Sequence, residues 1–98
     1  IVILLLHMAK KTYRQLERLA RGFANHRRIE ILELLKRTPE LSIEEISTRL
    51  DANFKTISEH VRRLAVAGLV LKRADGASIR HKLTPNALLV LKFLRTLE

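Results

Sequence analysis

The 98-residue sequence contains no cysteine and no tryptophan, and it has only three glycines and two prolines. Without cysteine, the chain cannot form disulfide bonds, ligate zinc through thiolates, or use a thiolate for catalysis or metal sensing. The three glycines mark helix ends and a turn, and no glycine-rich phosphate-binding loop is present. These absences exclude several classes of enzyme and metalloprotein.

A long hydrophobic run is also lacking. Residues 1–6 form a run of six apolar residues, whereas a helix that crosses a bilayer needs about 20. The run has neither a basic stretch before it nor a small-residue cleavage site after it, as a signal peptide would. The following pair His7-Met8 is what a common cloning site leaves behind. We therefore expect residues 1–7 to be cloning-derived or extraneous and residues 8–98 to form one domain.

Acidic residues are scarce relative to basic ones. The chain has 19 lysines and arginines against 10 aspartates and glutamates, for a net charge of +9. This excess favours a polyanionic partner, nucleic acid first and an anionic membrane surface second. Residues 8–37 and 52–84 carry net charges of +6 and +5, whereas residues 38–51 carry −3. The uneven placement argues against a uniformly solvated basic surface.

Hydrophobic periodicity predicts two helices in the first third of the chain. The first runs from Lys10 to about Phe23. Asn25 is placed as the N-cap of the second, which ends at Lys36 or Arg37. The apolar residues of the second helix occupy more than one stripe, so we expect it to be central and well buried.

Two short amphipathic helices joined by a polar turn follow. The first begins with a capping box, Ser42 and Glu45, and ends near Leu50. The second runs from Phe54 to about Ala67, and its predicted buried face contains Phe54, Ile57, Val61 and Leu64. A helix that is apolar behind and basic in front, beside a shorter helix, is typical of a helix-turn-helix, in which the second helix enters the major groove of DNA.

The periodicity then changes to that of strands. Residues 69–73 and 78–83 flank an Asp75-Gly76 pair, which predicts a β-hairpin. Thr84 and Pro85 are placed as the N-cap and first residue of a last helix over residues 86 to about 96. This helix is too apolar for one face of so small a domain, which indicates that part of it meets a second subunit.

This order of four helices, a hairpin and a helix gives a mainly α fold that resembles a winged helix-turn-helix. Over residues 10–97 the chain is most similar to the ArsR-type (arsenical-resistance-repressor-like) transcriptional regulators and their archaeal relatives. The strings that carry the resemblance are FANHRRIEILELLKR, LSIEEISTRLDANFKTISEHVRRLAVAGLV and HKLTP, and KTISEHVRRLAVAGLV is the most specific part. The resemblance implies DNA binding by a homodimer paired through its first and last helices.

Two departures from the family pattern bear on function. His26 stands where many relatives have proline, which makes the start of the second helix less rigid. The metal sensors of the family use cysteine pairs on the third helix, or Asp and His ligands on the last helix, and this sequence has neither set. The resemblance therefore does not carry over a metal switch, and we predict no metal and no cofactor.

The predicted DNA-binding residues lie on the outward side of the second helix of the motif and on the hairpin. Near the amino end of the helix, where docking is deepest, the candidates for reading bases are Asn53, Lys55, Thr56 and Glu59. Glu59 is equally interpretable as an intrahelical partner of Lys55 or of Arg62 and Arg63. Phosphate or minor-groove contacts are predicted for Ser58, Arg62, Arg63, Arg73, Arg80 and Lys82.

Other polar residues are weaker candidates. Arg27 and Arg28 could add phosphate contacts at the start of the second helix. For His60 a structural or phosphate-bonding role is favoured over ligand binding. His26 and Glu30 are spaced as a metal-binding pair, but an isolated pair of this kind is usually solvent-exposed.

Catalysis has little support. Ser58 and His60 are two residues apart on a helix, so they project in different directions and cannot form a nucleophile–base pair. We therefore predict that the protein is not an enzyme.

We expect a dimeric, cytoplasmic transcriptional regulator of a prokaryote, a repressor that binds a pseudo-palindromic site with its two recognition helices about 34 Å apart. The alternatives are a winged-helix module that binds another protein and a DNA-coating protein without sequence preference. No membrane partner is predicted. The predicted dimer interface comprises Tyr13, Leu16, Leu19, Leu88, Leu91, Phe93, Leu94 and Leu97.

Overall fold

A computed structural model describes residues 10–98, so the expectation for residues 1–7 falls outside the described part. The elements in chain order are α1 (Tyr13–Phe23), α2 (His26–Arg37), α3 (Ile43–Leu50), α4 (Phe54–Val66), β1 (Val70–Asp75), β2 (Ser78–Leu83) and α5 (Pro85–Thr96). The predicted winged helix-turn-helix architecture is confirmed.

Side-chain caps set the starts of the helices. The Ser42–Glu45 capping box is present as predicted, and Asn25, Asn53 and Thr84 accept hydrogen bonds from backbone amides in the first turns of α2, α4 and α5. A second capping box, Thr12 with Gln15, starts α1 at Tyr13 rather than at Lys10. Its signature was available in the sequence, since threonine and glutamine stand at the required spacing.

Packing in the helix-turn-helix differs from the prediction at one residue. Ile57, Val61 and Leu64 are fully buried against α2 and α3, but Phe54 is 50 % exposed. Phe54 is the first residue of α4, so its ring lies beyond the end of the hydrophobic core. The turn before α4 contains Asp51 in the left-handed conformation, with φ of 50°.

The wing is an antiparallel hairpin in which Val70 pairs with Leu83 and Asp75 with Ser78. The first strand therefore extends to Asp75, two residues beyond the prediction. Only Gly76 and Ala77 form the turn, and Gly76 has the positive φ that such turns require.

The core is built mainly from α2, α4 and α5, with Leu41, Ile46, Leu69 and Val70 completing it. Four residues of α2 are buried, which confirms that this helix is central. Leu91, predicted at the dimer interface, is only 1 % exposed and belongs to this core. It lies on the side of α5 that packs on α2, so the protein's own interior covers it. No helix within residues 10–98 is long and apolar enough to cross a membrane.

Candidate nucleic-acid interface

The outer side of α4 carries a set of exposed polar residues, here called the reading face. The burial of Ile57, Val61 and Leu64 orients the helix and turns these residues to solvent. Asn53 uses its side-chain oxygen to accept from the amides of Lys55 and Thr56, at 2.9 and 3.2 Å, and so is engaged as a cap. The members of the reading face are Asn53, Lys55, Thr56, Ser58, Glu59, Arg62 and Arg63.

Glu59 is the acidic centre of the reading face. Its carboxylate accepts from Arg62 through Nε at 2.9 Å and through a terminal guanidinium nitrogen at 2.7 Å, and from Arg63 Nε at 3.1 Å. These hydrogen bonds, first that of Arg62 and then that of Arg63, lower the pKa of Glu59 to about 2. Of the two interpretations of Glu59, the geometry favours the intrahelical ion pair. Both predicted phosphate-binding arginines are thus partly neutralised by the same carboxylate.

Ion pairs join the arginines of the wing to the helix-turn-helix. Arg73 Nε lies 2.6 Å from a carboxylate oxygen of Glu40, and Arg80 lies 2.6 Å from Glu45 in the first turn of α3. Arg80 also contacts Asp75 at 3.4 Å. These two arginines therefore position the wing as well as supplying charge, whereas the side chain of Lys82 is exposed.

His60 and Arg28 form a structural contact behind the reading face. Arg28 donates from Nε to His60 Nδ1 at 3.1 Å and from a terminal nitrogen to the carbonyls of Arg21 and Gly22, each at 3.1 Å. Burial, followed by the nearby charge of Arg28, lowers the pKa of His60, which favours the neutral ring that this contact needs. Arg28 thus ties α1 to α2 and α4.

The remaining weak candidates for ligand binding are engaged elsewhere. Arg27 pairs with Glu30 at 2.6 Å, so Glu30 faces an arginine rather than a His26-bound metal. Among residues 10–98 no group of three metal-ligating side chains is present.

Sequence reasoning missed an apolar cluster between the recognition helix and the wing. Phe54 and Ile79, each about half exposed, line one surface depression together with Ile43. Ile79 lies near the tip of the wing, where it pairs with Ala74, and it is not part of the core. The signal for Phe54 was its position directly after the N-cap.

Helices α1 and α5 also carry exposed apolar residues. Most of the residues predicted for the dimer interface are solvent-exposed in the single chain, Tyr13 most of all at 90 %, and Leu89 of α5, not predicted, is exposed as well. Leu19 and Leu94 are partly buried and pack against the core. The exposed apolar residues of α1 and α5 are therefore Tyr13, Leu16, Leu88, Leu89, Phe93 and Leu97.

Comparison with known proteins places this arrangement in a family. The model of the HVO_A0114 family matches residues 24–88, which cover α2 to the start of α5. The chain belongs to the HVO_A0114 family. It is also 33 % identical over 63 residues to the arsenical resistance operon repressor of Escherichia coli, a match that covers 64 % of this chain and 54 % of that protein. The match thus spans about half the length of the curated relative.

Solved structures show the same fold. A homodimeric winged helix-turn-helix DNA-binding domain from Mycobacterium bovis, described as a possible ArsR-family regulator, has a TM-score of 0.77 at 26 % identity, over 91 % of this chain and 88 % of that chain. HlyU from Vibrio cholerae has a TM-score of 0.76 at 29 % identity, over 90 % and 96 %. The ArsR-like character of the chain is confirmed by its similarity to an operon repressor and to a possible ArsR-family transcriptional regulator.

Proposed function

We propose that the protein is a sequence-specific DNA-binding transcriptional regulator that acts as a dimeric repressor on a pseudo-palindromic site. The observation that carries the proposal is the reading face, which is exposed along the length of α4 while Ile57, Val61 and Leu64 on the opposite side are fully buried. Such a helix can enter a major groove without disturbing the core. The net charge of +9 and the wing beside it support a DNA partner.

Roles within the proposed interface follow from position. Lys55 and Thr56 lie in the first turn of α4 and are assigned to bases, because the amino end of a recognition helix docks deepest. Ser58, Arg62, Arg63 and Lys82 are assigned to phosphates. Arg73 and Arg80 hold the wing through Glu40 and through Glu45 of α3, and they approach the DNA backbone from there. Repression is supported by the name of the curated relative, an operon repressor.

The proposal is tested by selecting bound duplexes from a random pool and titrating salt on the selected and a scrambled duplex. We expect a large preference for the selected sequence and a steep salt dependence for both duplexes. Lys55→Ala should reduce the preference for the selected sequence. Arg63→Ala should lower the affinity for both duplexes equally and flatten the salt dependence of binding. Binding without preference would indicate a DNA-coating protein, and no binding would indicate a protein-binding module.

For the dimer, we propose that the exposed apolar residues of α1 and α5 pair across a two-fold axis. Phe93 is 55 % exposed in the single chain. Contact with a second subunit would remove this apolar side chain from water. Phe93→Glu should convert a dimer to a monomer in sedimentation experiments. Leu71→Glu, which places the same charge at an exposed apolar residue of the wing, is the matched control and should remain dimeric. A monomeric parent chain at micromolar concentration would overturn the dimer.

A further inference from the structure

Five arginines surround a depression that adjoins the reading face and extends beyond it to α1. It has a volume of about 290 Å³ and lies where the carboxyl ends of α1 and α4 meet. The arginine groove, as we name it, is formed by Arg18, Arg21, Arg28, Arg62 and Arg63, and no carboxylate lines it.

A close helix contact brings these arginines together. A Cβ atom built on Gly22 would lie 2.3 Å from the Cβ of Ala67, so only glycine allows α1 to approach α4 this closely. The contact sets Arg18 and Arg21 beside Arg62 and Arg63. Arg28 stands between the helices, held by two carbonyl oxygens and His60.

The charge of the groove is only partly compensated. Glu59 pairs with Arg62 and Arg63, and Glu17 lies 3.7 Å from Arg21, both as exposed contacts. Within residues 10–98, Arg18 makes no ion pair and Arg28 is hydrogen-bonded only to neutral groups. Guanidinium groups gathered in this way suit the oxygens of phosphate groups, which they can bind in a bidentate manner.

The arginine groove is continuous with the reading face. Arg62 and Arg63 follow Lys55 by seven and eight residues, which places them on the same side of α4. A helix of 13 residues is about 20 Å long, whereas the major groove is about 12 Å wide. In a complex docked as proposed, the carboxyl end of α4 would therefore reach the DNA backbone that borders the major groove, and α1, which packs on α4, would lie beside it.

We propose that the arginine groove binds backbone phosphates at the border of the DNA site, so that α1 is part of the DNA-binding surface. This inference rests on the proposed function and adds Arg18 and Arg21 to it. They are positioned to supply affinity and to contribute nothing to base discrimination, because they face the backbone.

The test compares two double variants. Arg18→Ala/Arg21→Ala removes two charges from the arginine groove. The control, Lys36→Ala/Arg37→Ala, removes two charges at the carboxyl end of α2, whereas Arg28 of the groove lies near its amino end. On the selected duplex, loss of two phosphate contacts should flatten the salt slope by about 1.8 and leave the sequence preference unchanged. The control should keep the parental slope. Circular dichroism of each variant confirms that the helices are retained.

Single methylphosphonate linkages, which remove the charge of one phosphate, then locate the contact. Substitution at one or two border positions should lower the affinity of the parent for the duplex about five- to tenfold. The same substitutions should leave the affinity of Arg18→Ala/Arg21→Ala unchanged. An unchanged salt slope in this variant, with specific binding by the parent, would overturn the groove proposal alone. Binding of free inorganic triphosphate that is lost in Arg18→Ala/Arg21→Ala, while the variant keeps the parental salt slope on the duplex, would also overturn it, in favour of a small-anion site. A parent that binds no duplex would remove the proposed function itself.

Discussion

The Nδ1 atom of His81 lies 2.8 Å from the carbonyl oxygen of Leu41, so a buried side chain of the wing is joined to the start of the helix-turn-helix. The same oxygen accepts the backbone amide of His81 at 3.1 Å. Because the ring nitrogen faces a carbonyl, it must carry a proton, and the second nitrogen is free of one in the neutral ring. His81 is only 1 % exposed, so both of these contacts are shielded from water.

Stability should fall as the solution is made mildly acidic. Burial lowers the pKa of His81, and the charge of Lys72 acts in the same direction, against the hydrogen bond to Leu41. The unfolded chain then binds protons more readily than the native chain, so this part of the stability is complete above about pH 6.5 and is lost as the pH falls through the lower native pKa. His60, whose pKa is also lowered, contributes with the same sign.

Urea unfolding at pH 7.5 and pH 5 measures this effect. His81→Leu should reduce the difference between the two pH values. At pH 7.5 it should cost about 1 kcal/mol, the net value of the lost hydrogen bond, because the Leu41 oxygen keeps its backbone partner. If the variant and the parent had the same pH dependence, His81 would not be the titrating group.

Gly22→Ala should destabilise the fold although alanine is the better helix former. The added methyl group would overlap the Cβ of Ala67 at 2.3 Å, and neither atom is the end of a flexible side chain. We expect a net loss of about 1–2 kcal/mol in the free energy of unfolding, after the gain in helix propensity. The double variant Gly22→Ala/Ala67→Gly restores space and should recover most of the loss. A single variant as stable as the parent would contradict the close approach.

Glu59→Gln should strengthen binding to every duplex. The substitution removes a negative charge from the reading face and releases Arg62 and Arg63, which Glu59 engages through three hydrogen bonds. We expect a higher affinity, a salt slope steeper by about 1, and an unchanged sequence preference. Glu98→Gln, which removes the corresponding partner of Arg95 at the end of the chain, is the control. Loss of preference at one cytosine would instead assign Glu59 to base reading.

Phe54→Ala should abolish discrimination between thymine and uracil, provided that the protein reads DNA as proposed. The half-exposed ring begins α4, where docking is deepest, and an apolar group there can contact the 5-methyl group of thymine. Burial of one methyl group is worth about 0.8 kcal/mol, so replacing a contacted thymine by uracil should lower the affinity of the parent for the DNA about fourfold. Val66→Ala, an exposed change at the other end of α4, should retain this discrimination. Equal affinity of the parent for both bases at every position would contradict the contact.

The local elements were accessible to sequence reasoning because their signals lie within a few residues of one another. The sequence alone predicts the Ser42–Glu45 capping box and the caps Asn25 and Thr84. The spacing of Ile57, Val61 and Leu64 likewise predicted which side of α4 is buried. The phenyl ring of Phe54 was misplaced because periodicity reports direction around a helix but not where the core ends along it.

Sequence by itself determined the order of elements, the positive charge and the side of α4 that faces outward, since caps, turns and apolar spacing act locally. Only the tertiary structure decided that Arg73 meets Glu40, that Arg80 meets Glu45, and that Leu91 lies inside. The tertiary structure also decided the close approach of Gly22 to Ala67, which brings the arginines of the arginine groove together. These relationships join residues 33 to 45 positions apart, and their distances depend on how the helices pack rather than on any pattern along the chain.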